Sequence, residues 1–204
     1  MLETISLISA ILAIIMLRRI VEILPYIFAC ILRTSACIKI DSIVKISRSR
    51  DMTALVLILP LMMTIQKYNI LPFRFLSQMS PEAGFVVITA IFAAYYALRV
   101  CGAVLFIPNR SRKKSRVPDN SDRTFFIILA ILALSLSWIM SLMNISHTAI
   151  RLTIIWISAA TYALYLIRKL QIFQSSHSIF AAFLYLCALE IVPSGILVVS
   201  AIIF

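Results

Sequence analysis

The chain of 204 residues has little charge, little glycine and almost no histidine. Charged residues make up 13% of it, about half the share in soluble proteins. Hydrophobic residues reach 62%, against roughly 45–50% in a soluble domain. A soluble fold with that balance would expose large apolar patches, and monomers rarely do so. A soluble globular enzyme is therefore excluded, and so is a disordered chain. Three glycines leave no room for a Gly-rich phosphate loop, and no P-loop, H-E-x-x-H or G-x-S-x-G sequence occurs. The four cysteines, Cys30, Cys37, Cys101 and Cys187, show no C-x-x-C spacing and read as small packing residues. No cofactor or metal is implied, and the expectation is a protein that is not an enzyme.

What is present is a series of apolar runs. They predict an all-α, polytopic transmembrane helix bundle, 1–204 forming a single membrane domain of six or seven spans. The expected spans are 4–17, 52–68, 82–107, 125–143, 150–167 and 177–204. The first run lies between Glu3 and Arg18-Arg19, flanks unlike those of a cleavable signal peptide. Residues 18–50 read as an interfacial amphipathic segment. Arg18, Arg19, Glu22 and Arg33 share an arc about 100° wide, and Asp41, Lys45 and Arg48 recur at i, i+4 and i+7. The alternative is a span near residues 20–38 that enters before Pro25 and bends there. Pro60 marks a kink in the next span. Ser80-Pro81-Glu82 is a helix start, with a cap, a proline at the first position and an acid at the positive end. Pro193 should bend or break the final helix.

Nineteen basic residues face only eight acidic ones, a net charge of +11. The one hydrophilic loop, 108–123, reads PNRSRKKSRVPDNSDR and contributes Arg110, Arg112, Lys113, Lys114 and Arg116. Asn120, Ser121 and Asp122 offer caps for the helix that follows. With six spans, fifteen basic residues fall on the loop's side, three opposite, and Arg99 lies within a span. If residues 20–38 also cross, the split is thirteen to five. Either count places the basic loop in the cytoplasm and the C-terminus outside. A basic loop on anionic lipid headgroups accounts for the charge, so nucleic acid or a ribosome is not required.

Two charges lie deep in expected spans, Arg99 and Glu190, and each needs a partner or water. Measured from the outer face they lie about 24 Å and 21 Å deep, and from the inner face about 12 Å and 20 Å; the outer match suggests that they pair across the bundle. An ion pair fixing helix register, a proton-carrying Glu190, and a contact to another subunit are the three readings. Pro193 removes an N–H and frees the carbonyl of Leu189 beside Glu190, and Tyr185 lies five residues before the carboxylate. Glu190, Arg99, Tyr185 and Pro193 are thus the candidate intramembrane polar site. His147 and His177 fall at opposite membrane faces and cannot share a metal.

The stretch LYLCALEIVP resembles the C-terminal Tyr-x-Cys-x-Leu-Glu-Ile-x-Pro motif of an uncharacterised Bacteroidota inner-membrane protein family. Tyr185, Cys187, Leu189, Glu190, Ile191 and Pro193 match it in place. Residues 124–204 are similar in pattern, the first hundred only in hydropathy. The resemblance implies a bacterial inner membrane and a positive-inside topology, with no activity to transfer. The expected function is a non-catalytic accessory or structural subunit docking on membrane protein partner subunits of a larger complex, protein export being one candidate. The alternative is a small proton-coupled transporter or channel-like protein using Glu190.

Overall fold

A computed structural model of the chain describes residues 2–33, 43–71, 73, 79–106, 112–174 and 179–203. Every regular element among them is helical. The elements are α1 (Leu2–Leu32), α2 (Val44–Lys67), α3 (Pro81–Phe106), α4 (Arg112–Leu142) and α5 (His147–Gln174). A final rod follows: α6 (Ile179–Leu186), a π turn (Cys187–Ile191) and α7 (Val192–Ile203). Three apolar stretches, Pro81–Gly102, Asp122–Leu142 and His147–Ile172, are long and apolar enough to cross a membrane. They coincide with the spans expected at 82–107, 125–143 and 150–167.

Local chemistry sets the helix ends. Ser80 caps α3 by accepting the Ala83 N–H at 3.4 Å, with Pro81 and Glu82 in the first turn as the sequence suggests. Ser146 caps α5 through the Ala149 N–H at 3.4 Å. The turns after α2 and α4 pass through Asn69 (φ 47°) and Asn144 (φ 52°). Asparagine tolerates this left-handed region better than other side chains because its amide bonds locally.

Three boundaries differ from the sequence reading. Residues 18–32 do not form a separate interfacial helix; they continue α1 through Arg18, Arg19 and Pro25. The reason is a second stripe. Ile23, Ile27 and Cys30, at i, i+4 and i+7, are buried in the bundle, while Arg18 and Glu22 pair on the exposed side at 3.5 Å. Likewise Val44–Arg50 opens α2 and runs unbroken into the expected span, past Pro60. The hydrophilic loop is helical from Arg112, so Asn120, Ser121 and Asp122 lie inside α4 and do not cap it. Cys30, read from the sequence as a packing residue, is disulfide-bonded, whereas Cys101 and Cys187 are free. Asp41, Cys37, Arg110 and His177 lie outside the described residues.

The apolar core is built by five helices. α2 packs on α1, α3 and α4, and α4 packs on α5. Ala54, Leu57, Leu61 and Ile65 form the inward stripe of α2, and Ile127, Ala130 and Ala133 that of α4, each of these last three fully buried. The two alanines permit close backbone approach, the main source of packing between helices in lipid. Large apolar side chains on the outer surface, Trp138, Trp156 and Phe180 among them, are exposed in the chain itself. That is the surface a bilayer would cover.

The final rod meets α5 through α6, and α3 through the π turn and α7. At Gly102 a Cβ would stand 2.8 Å from Leu189 Cδ2, so only glycine admits that approach without a shift. Replacing Gly102 with Val should overpack this contact and lower stability by about 1–3 kcal/mol. Reversible detergent unfolding of the purified protein checks it; an unchanged midpoint would mean that α3 and the π turn are not in close contact.

Candidate functional site

Polar side chains on three otherwise apolar helices recur at helical spacing. Tyr95 and Arg99 stand at i, i+4 on α3, while Tyr162, Tyr165 and Lys169 stand at i, i+3, i+7 on α5. Glu190 and Ser194 stand four apart on the final rod. Such spacings place each set along one helix face. Packing α3, α4, α5 and the rod together joins the sets to Asp122 of α4.

The centre is an ion cluster of two cations and two carboxylates. Lys169 Nζ donates to Glu190 Oε1 at 2.5 Å, to the Tyr165 hydroxyl at 2.7 Å and to Asp122 Oδ1 at 3.1 Å. Its three protons thus meet three acceptors. Arg99 Nη2 lies 2.5 Å from Glu190 Oε1 and 2.8 Å from the Tyr165 hydroxyl, and it also pairs with Asp122 Oδ2. One nitrogen with two protons faces three oxygens, so one of these contacts is electrostatic only. Tyr165 donates its own proton to Asp122 Oδ1 at 2.5 Å. The tyrosine hydroxyl therefore sits between both cations and one carboxylate. Phe125 closes over its ring, with centroids 5.7 Å apart.

Burial makes this balance necessary. The side chains of Lys169 and Glu190 are 1% and 2% exposed, those of Arg99 and Asp122 18% and 21%. A lone charge in such a place is expensive, and two of each sign, mutually hydrogen-bonded, remove the penalty that any one would suffer. The cluster lies toward one end of the apolar stretches: Asp122 opens its stretch, while Arg99 and Lys169 lie three residues from Gly102 and Ile172. That end carries the basic segment. Glu190 likewise lies three residues from Cys187, the start of the last apolar stretch.

Beside the cluster, three hydroxyls hold the final rod. Tyr162 donates to the backbone carbonyl of Glu190 at 3.0 Å or to Ser194 Oγ at 3.1 Å, one proton serving one acceptor at a time. The Tyr95 hydroxyl lies 3.0 Å from Ser194 Oγ. The chain of hydroxyls ends on the backbone carbonyl of Glu190 and anchors the rod to α3 and α5.

The π turn sets this register. The Val192 N–H bonds to the carbonyl of Cys187, five residues back. Pro193 explains it: the ring has no N–H and would strike the carbonyl four residues earlier, so the preceding turn widens by one residue. The expected bend or break at Pro193 is thus a widened turn in a rod that stays helical on both sides. Glu190 lies inside that turn.

The Arg99–Glu190 pair suggested by matching depth is present. Pro193 is buried and acts through the backbone. Tyr185 belongs to α6, but its side chain lies outside the described residues, as do the side chains of Arg112, Lys113, Lys114 and Arg116 at the start of α4. Sequence reasoning missed Asp122, Tyr165, Lys169, Tyr95, Tyr162 and Ser194. Asp122, which the sequence offers as a cap, and Lys169, near the end of α5, each reach sideways into the bundle.

A smaller group adjoins the cluster. Asp51 of α2 accepts from Arg50 Nε and Nη2 at 3.2 Å on Oδ1, and its Oδ2 pairs with Arg123. Asp122 and Arg123, consecutive in α4, thus point into two different networks. No group of His, Cys, Asp and Glu able to hold a metal ion occurs among the described residues.

Replacing Lys169 with Met leaves Arg99 alone against two carboxylates and should lower stability by about 3–5 kcal/mol. Adding Glu190→Gln restores one charge of each sign and should recover more than half of that loss. A double-mutant cycle by reversible unfolding in mixed micelles reads both; additive losses would mean that the two side chains do not interact.

No known protein family matches the chain, and no curated protein or solved structure matches it either.

Proposed function

We propose that this is a non-catalytic, multi-pass protein of a bacterial inner membrane, serving as an accessory or structural subunit docked on a larger membrane complex. The observation that supports it most is the closed ion cluster: every charge in it is answered within the chain, leaving no group free to react. The cluster therefore acts as an internal fastener, and any partner must meet the outer, apolar surface.

To the three stretches long and apolar enough to cross, this reading adds α1, α2 and the final rod. Their lengths of about 46, 36 and 37 Å include the charged turns at Arg18–Glu22 and Lys45–Asp51. With the basic start of α4 in the cytoplasm, both ends of the chain then lie on the periplasmic side. Anionic headgroups would meet the cytoplasmic residues Lys45, Arg48 and Arg112–Arg116. The C-terminal sequence motif around Glu190 remains the basis for the Bacteroidota resemblance.

A second reading, a small proton-coupled transporter or channel-like protein, is favoured by one feature: the buried carboxylate of Glu190 lies in a π turn, and π turns are frequent at functional sites. Purification of tagged protein from its native membrane in mild detergent separates the two. The subunit reading predicts a heteromeric complex of defined stoichiometry that persists with Glu190→Gln only if the fold persists. Protein recovered alone, with proton flux in liposomes that Glu190→Gln abolishes, would establish the transporter instead.

A further inference from the structure

We propose that the final rod, Ile179–Ile203, is a latch: it docks on a self-sufficient five-helix core through polar contacts and detaches from it as a unit when those contacts are removed. The first observation is where the core ends. Among the described residues, the main apolar cluster and the side chains packed against it come from α1 to α5 and the turns between them, and none from the rod. The buried apolar residues that the rod supplies are few: Leu186, Leu189, Pro193 and Ala201. Much of its remaining surface, including Phe180, Phe183, Leu184, Ile196 and Val199, faces outward.

The second observation is what holds the rod. Glu190 meets Lys169 of α5 and Arg99 of α3, its carbonyl accepts from Tyr162, and Ser194 meets Tyr95 and Tyr162. In lipid, apolar contact between helices competes with equally apolar acyl chains, so polar contacts and close packing decide association. The rod packs on α5 through α6 and on α3 through the π turn and α7, with Leu189 close to Gly102. The five polar contacts named above all lie from Glu190 to Ser194, around the π turn.

Charge keeps the latch closed at rest. Without Glu190, two cations, Arg99 and Lys169, face the single carboxylate of Asp122. The surplus positive charge has no compensation in the bundle, so the docked state is favoured until the carboxylate itself is altered.

Paired spin labels in liposomes test this on the full chain, with Cys101 and Cys187 changed to Ser. One pair, Leu152→Cys on α5 with Val199→Cys on the rod, reports docking; the other, Leu55→Cys with Leu132→Cys, reports packing of α2 on α4. In the parent protein both distance distributions should be narrow. Glu190→Gln with Ser194→Ala should broaden the rod pair about twofold or more while the core pair keeps its width. Restoring Glu190 while keeping Ser194→Ala should narrow the rod pair again, because the carboxylate once more meets Lys169 and Arg99. Broadening of both pairs, or failure of the variant to assemble, would overturn the proposal by making core and rod one cooperative unit. A rod pair that stays narrow would overturn it too, because other contacts would then suffice.

Discussion

One carboxylate oxygen, Glu190 Oε1, receives Lys169 from α5 and Arg99 from α3, each at 2.5 Å. Much else in this part of the bundle follows from keeping that oxygen supplied. Two cations brought to one carboxylate leave a positive excess, and Asp122 of α4 cancels it. Tyr165 then fills the space between them, accepting from the cations and donating to Asp122. The result ties four successive rods together at one end, by charges that could not be tolerated singly at that place.

Backbone geometry upstream makes the arrangement possible. Pro193 forces a wide turn over Cys187–Ile191, which gives the rod one extra residue per turn there. Glu190 and Ser194 are four residues apart and engage neighbouring partners, the carboxylate reaching Lys169 and Arg99, the hydroxyl reaching Tyr95 and Tyr162. At Gly102 the Leu189 side chain approaches α3 closely. A proline, a glycine and a carboxylate thus act on one another through the same few ångströms. The short sequence LYLCALEIVP contains two of the three.

Much of the fold was legible because hydropathy is a long-range average. Three apolar stretches stand where their composition put them, and Ser80-Pro81-Glu82 opens α3 as its chemistry suggests. The first fifty residues were harder. Arg18, Arg19 and Glu22 looked like an interfacial face, but the competing stripe of Ile23, Ile27 and Cys30 wins because it packs on the bundle. The site was half legible. Arg99 and Glu190 stand out as charges in apolar surroundings, and equal depth joined them. Asp122 and Lys169 did not stand out, since an acid near a helix start and a base near a helix end already have an adequate local explanation. The overlooked signal was the Tyr162–Tyr165–Lys169 stripe along one face of α5, a polar line with no reason to exist against lipid.

The central claim is that Lys169 and Glu190 form a direct contact between charged groups inside the membrane. Solid-state NMR on protein in lipid bilayers, with 15N in lysine side chains and 13C in glutamate carboxyls, measures it. Lys169 should show an ammonium shift and a dipolar coupling to the Glu190 carboxyl carbon that corresponds to about 4 Å or less, lost in Glu190→Gln. A neutral amine shift, or no coupling between the two sites, would contradict the account.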